Sequence, residues 1–98
     1  MTINCAFFSF TRHAVMQMFE RDISIDDVKM VAKEGEIIQS YADDKPYPSF
    51  LILGFINKRP IHVVIASDKT LGECIVVTAY QPSAKVWEND FKTRIKFE

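Results

Sequence analysis

The feature that most constrains this chain is a change of hydrophobic period at Gly35. Before it, apolar residues recur three and four apart; after it they come in short β-type runs separated by turn residues. Ile25, Val28, Val31 and Ala32 form one helical stripe. Ser24 and Asp27 stand as a capping-box pair before it, and Ile23 and Val28 hold the staple positions. Lys33 falls in the last turn and Gly35 supplies the stop. This predicts a helix over 24–34. An earlier helix is predicted over 11–22, capped by Ser9 or Thr11. On its wheel Ala14, Val15, Met16, Met18 and Phe19 fill a broad apolar arc, with His13, Gln17, Glu20 and Arg21 opposite. Cys5 to Phe10 reads as a short strand or a packed arm.

Past Gly35, residues 36–42, 50–56, 61–67 and 74–81 read as strands. The stretch Asp43 to Ser49 carries Pro46 and Pro48 and reads as a loop. Asn57-Lys58-Arg59-Pro60 and Asp68 to Gly72 read as turns, and connections this short force antiparallel neighbours. Pro82 ends the sheet. Ser83 to Phe91 is predicted as a short helix with Trp87 and Phe91 on one face, and Lys92 to Glu98 as an edge strand. The expected fold is therefore α+β. Two N-terminal helices pack on a four-stranded antiparallel meander sheet, followed by a short C-terminal helix or strand, in one domain over 1–98. Alternation puts Ile61, Val63 and Ile65 on the helix side with Ile75, Val77 and Ala79. His62, Val64 and Ala66 then share the other face with Cys74, Val76, Thr78 and Tyr80.

The two histidines are the strongest chemical signal. His13 sits where the first helix begins and His62 lies inside a strand. Two imidazoles on different elements of a small domain can make an acid/base pair that needs no metal and no cofactor. His62 is expected nearly opposite Thr78, with Tyr80 diagonal to it. The catalytic candidates are His62, His13 and Tyr80. The substrate-binding candidates are Arg12, Arg59, Lys58 and Thr78, the arginines being suited to steadying a phosphate. If His62 carries the proton, His62→Gln should slow cleavage about 10²–10⁴-fold. Each residue also has a plainer reading. His62 is then a hydrogen-bonded core histidine, Tyr80 a half-buried strand residue, Lys58 and Arg59 solvated turn charges, Arg12 a surface arginine, and Asp43 and Asp44 turn formers. Trp87 is either a plug under the C-terminal element or an interface anchor.

Composition narrows the class. A hydrophobic fraction of 48% among 98 residues suffices for a folded core, and a net charge of −1 argues against a strongly basic nucleic-acid-coating protein. Cys5 and Cys74 are not spaced as metal ligands, and Cys74 reads as a free thiol in an apolar strand. That suggests a reduced, cytoplasmic protein without metal. The N-terminus shows neither a signal peptide nor a membrane span. Aromatic residues at both ends, Phe7, Phe8 and Phe10 against Trp87, Phe91 and Phe97, motivate a protein partner or a homodimer through the C-terminal stretch.

The series Phe10-Thr11-Arg12-His13-Ala14, Met18-Phe19-Glu20-Arg21, Ile23-Ser24, Gly35-Glu36-Ile37-Ile38, Asp44-Lys45-Pro46-Tyr47-Pro48-Ser49, His62-Val63-Val64 and Thr78-Ala79-Tyr80 resembles domain-of-unknown-function family 4258. That family in turn resembles the RelE/BrnT-like toxins. The resemblance implies a helix pair on an antiparallel sheet and metal-free acid/base cleavage of RNA. It also implies a neighbouring zinc-finger antitoxin as partner. The function expected is thus a toxin-like endoribonuclease of a type II toxin–antitoxin pair; the alternative is a non-catalytic protein-binding module of the same fold.

Overall fold

The computed structural model describes residues 3–96. Thr11 opens the first helix, α1 (Arg12–Arg21), by accepting a hydrogen bond from the Ala14 backbone at 3.0 Å. Ser24 opens α2 (Ile25–Glu34) with a complete capping box: its hydroxyl accepts from the Asp27 backbone, and the Asp27 carboxylate accepts from the Ser24 backbone. These bonds satisfy amides that a helix start leaves without partners. Gly35 ends α2 with φ −73°, not the left-handed geometry its position suggested. Glycine is needed there for space. A Cβ would lie 2.4 Å from the Val31 carbonyl and 2.7 Å from Ile52 Cγ2.

The sheet corrects the expected four-stranded antiparallel meander. It has five strands in the order β1-β5-β4-β3-β2, where β1 is Phe7–Phe10, β2 Glu36–Tyr41, β3 Ser49–Ile56, β4 Arg59–Asp68 and β5 Glu73–Tyr80. Strands β2 to β5 form the antiparallel series, and β1 adds a parallel partner to β5, Phe8 beside Cys74 and Phe10 beside Val76. A parallel neighbour needs a long connection. Here most of the chain intervenes, so no local pattern announces the pairing. Gly72, at φ +74°, lets the turn before β5 approach the start of β1; its carbonyl accepts from the Ala6 and Phe7 backbones.

Both helices cover one face, α1 over β5 and α2 over β3 and β4. Ile52, Ile61, Val63, Ile65, Val76 and Ala79 meet Ala14, Met18, Val28, Val31 and Ala32 there. His62, Val64 and Ala66 face away, as alternation requires. In β5 the register shifts between the pairs Val64–Thr78 and Ile65–Val76, so Val77 is an extra residue. This bulge turns Cys74 and Val76 to the helix side, opposite to the expected face, while Ala79 keeps the expected one. It also sets Tyr80, not Thr78, directly across from His62.

Three further expectations fail. Cys5 and Cys74 are joined in a disulfide, so Cys74 is not a free thiol and the reading of a reduced protein drawn from it falls. Ser83 to Phe91 is a series of turns instead of a helix, and Lys92 to Lys96 adds no strand to the sheet. Phe97 and Glu98 of that predicted strand lie outside the described residues. Asp90 explains the turn: its carboxylate accepts from the Lys92 and Thr93 backbones at 2.9 and 3.1 Å, the local bonding that makes Asp a turn residue. The chain then doubles back, Glu88 bonding to Thr93 and Ile95 to Val86, with one bridge between Trp87 and Arg94. No helix among the described residues is long and apolar enough to cross a membrane.

Candidate functional site

His62 is fully buried, because the doubled-back C-terminal segment lies over it. The Trp87 ring meets the imidazole edge-on at 4.6 Å between centroids, and the Tyr80 ring does so at 5.3 Å. Phe91 packs on Phe55, and Lys92 pairs with Glu36 at 2.8 Å, pinning the segment across β3 and onto the edge strand β2. Both ring nitrogens of His62 are used. Nε2 stands 2.7 Å from the Phe91 carbonyl, and Nδ1 stands 3.1 Å from the Tyr80 hydroxyl.

Those partners determine the proton positions. A carbonyl only accepts, so Nε2 carries the hydrogen. The neutral ring then leaves a lone pair on Nδ1, and the Tyr80 hydroxyl donates to it. Burial pushes the His62 pKa below its ordinary value; the Phe91 bond opposes that shift, and Arg94 adds to it. Burial likewise raises Tyr80, which the charge of Arg94 partly offsets. The arrangement is a neutral, fully bonded histidine that orients a tyrosine whose free lone pairs can only accept from whatever lies beyond.

What lies beyond is an open groove of about 520 Å³ between α1 and the C-terminal segment. Thr78 and Tyr80 line it from β5, His13, Gln17 and Arg21 from α1, and Trp87 and Arg94 from the returning segment. Residues 13, 17 and 21 are spaced by four, so they form one row along the helix. The row is held in place by Thr11, whose hydroxyl donates to the Val77 carbonyl at 2.9 Å and whose amide bonds to Val76. The bulge in β5 therefore also seats the start of α1. Arg94 lies with its guanidinium carbon 5.2 Å from the centre of the Trp87 ring, a cation–π contact that keeps the charge beside the groove. His13 is exposed, so it is the imidazole of this chain that reaches solvent.

Of the seven candidate residues, His13, Thr78 and Tyr80 thus share one groove, and His62 stands behind Tyr80. The other three are elsewhere. Arg12 is exposed on α1 away from the groove, and Lys58 is at the tip of the β3–β4 hairpin with φ 69°. Arg59 closes the end of α1: it donates to the Asp22 carbonyl at 3.0 Å, to the Arg21 carbonyl, and to Gln81 Oε1 at 2.9 Å. A cation there also meets the negative end of the helix dipole. Gln17 and Arg21 were legible from their spacing to His13. Arg94 was not, since only the doubling back of the tail brings it near. Trp87 is 7% exposed, so it plugs the chain's own fold. Among the described residues no three His, Cys, Asp or Glu side chains gather to hold a metal.

Residues 10–81 match the family model described as Domain of unknown function (DUF4258). No curated protein and no solved structure matches the chain. The matched span contains His13, Gln17, Arg21, His62, Thr78 and Tyr80, whereas Trp87 and Arg94 lie beyond its end.

Proposed function

The chain belongs to the DUF4258 family, and from that premise we propose that it is a toxin-like RNA-cleaving protein that works in the His13–Tyr80 groove without a metal. One observation carries the reading: an exposed imidazole, a tyrosine hydroxyl and two guanidinium groups line one groove on an otherwise slightly acidic molecule. RNA supplies its own nucleophile, the 2′-hydroxyl. His13 takes the 2′ proton, and the 2′ oxygen bonds to the adjacent phosphorus. The bond from phosphorus to the 5′ oxygen breaks, leaving a 2′,3′-cyclic phosphate, and the leaving 5′ oxygen takes a proton from water or from the imidazolium. Arg21 and Arg94 offset the charge that builds on the phosphoryl oxygens. Tyr80, its own hydrogen committed to His62, accepts from a ribose hydroxyl or a base N–H and fixes the strand. A zinc-finger antitoxin is the partner such a toxin requires.

Binding is measured by fluorescence anisotropy of a labelled single-stranded RNA across a salt series. Binding should weaken with salt, and Arg21→Ala or Arg94→Ala should each lower the slope of log K against log salt by about 0.7, the share of one phosphate contact. An affinity that ignores salt and both substitutions would remove RNA from the groove.

A further inference from the structure

Helix α1 is apolar on two sides. Ala14 and Met18 are buried against the sheet, but Val15, Met16 and Phe19 of the expected core arc are 52%, 53% and 88% exposed. Together with Arg12 they stand at i, i+3, i+4 and i+7, a continuous stripe on the solvent side of the helix. Scattered apolar side chains are ordinary on a surface; a helix stripe that includes an almost fully exposed phenylalanine marks a contact surface. The row of His13, Gln17 and Arg21 lies on a different side of the helix, so this stripe is separate from the groove.

The charges at its ends identify the occupant. Arg12 begins the stripe and Asp22 stands at its other end, and neither has an ion-pair partner among the described residues. Gln17 is midway between Val15 and Phe19, and equally midway between Arg12 and Asp22. A two-fold axis level with Gln17 therefore sets Val15 of each copy on Phe19 of the other and Arg12 of each copy against Asp22 of the other. Both the apolar and the charged pairs close about one centre, as a self-complementary two-fold contact requires. A parallel arrangement would instead set Arg12 on Arg12 and is disfavoured.

We infer that this face is the dimer interface of the protein: a second copy of the chain docks α1 against α1, antiparallel, through Arg12, Val15, Met16, Phe19 and Asp22. Ile25, 53% exposed at the start of α2, extends the apolar area. Helices of ten residues make a small contact, so the dimer is one that dilution separates.

Sedimentation equilibrium over a concentration series tests this on the full chain. A monomer–dimer equilibrium is expected. Phe19→Glu should raise its dissociation constant about 30-fold or more, as loss of an aromatic anchor does. Phe7→Glu, on the sheet face away from the helices, should leave it unchanged. Arg12→Glu and Asp22→Lys should each weaken the dimer, and the two together in one chain should restore it. A monomer at every concentration would overturn the inference. So would a dimer indifferent to Phe19→Glu, one lost in Phe7→Glu, or a double charge exchange that restores nothing. Circular dichroism checks each variant. Should lysine fail to fold at the left-handed Asp22 position, the contrast between Phe19→Glu and Phe7→Glu still decides.

Discussion

Replacing His62 with phenylalanine keeps the ring's bulk and removes both of its hydrogen bonds. The Phe91 carbonyl, 2.7 Å from Nε2, then loses its donor beneath the covering segment, which costs about 1–3 kcal/mol for a buried acceptor left alone. Tyr80 is only half-buried, so its hydroxyl turns to water and the loss there is near the ordinary net value of about 1 kcal/mol. The expected destabilisation is therefore about 2–4 kcal/mol. Trp87, the chain's single tryptophan, packs edge-on against this imidazole, so its fluorescence in a urea titration follows the region directly.

The pH dependence gives a second signature from the same substitution. Burial lowers the His62 pKa in the folded chain, while the unfolded imidazole titrates at about 6.5. Above that value neither state binds the proton, and the contribution is complete. As pH falls through it, the unfolded chain takes up a proton that the folded chain refuses down to its lowered pKa. Stability then drops by up to about 1.4 kcal/mol per pH unit. His62→Phe should remove that share of the slope. A variant as stable as the parent, or one with the same acid slope, would refute the account of a neutral histidine bonded on both sides.

Arg59→Ala should cost about 1–2 kcal/mol through the lost cap on α1, read as a melting temperature lower by roughly 4–8 °C for each kcal/mol in a domain of this size. Thiol titration of the unreduced, unfolded chain should find no free thiol, and reduction should release two. With a sequence separation of 69, opening the Cys5–Cys74 link should cost about 4 kcal/mol on the chain-entropy account, measured by urea titration with and without a dithiol. Ser24→Ala should cost about 1 kcal/mol by removing half of the capping box. An unchanged midpoint would mean the box contributes nothing.

The α+β character and the local elements were legible where the signal was local. Ser24 with Asp27 marked the start of α2, and the short connections gave the antiparallel order of β2 to β5. What failed was non-local. Nothing near Phe7–Phe10 says that it pairs with Glu73–Val76 across most of the chain. Nothing in the alternation of β5 marks Val77 as a bulge, yet that one residue exchanges the face of Val76 and moves Tyr80 opposite His62. The site divides in the same way. His13, Gln17 and Arg21 share a row because helical spacing requires it. The burial of His62 and the arrival of Arg94 depend on a tail that doubles back at Asp90, and strand alternation could say only which face they would meet. The exposed side of α1 is a third case: a wheel with apolar residues over so wide an arc shows that a helix is amphipathic, not which part of the arc faces the sheet.

The most direct test of the account is cleavage of a short RNA by purified protein in a chelating buffer, followed under single-turnover conditions. Products should end in a 2′,3′-cyclic phosphate, and no cleavage should occur where the scissile ribose lacks its 2′-hydroxyl. The rate should fall about 10²–10⁴-fold in His13→Gln, as expected for loss of a proton carrier, with the melting temperature unchanged. Cleavage by His13→Gln at the parent rate, or no cleavage of any RNA by the parent protein, would contradict it.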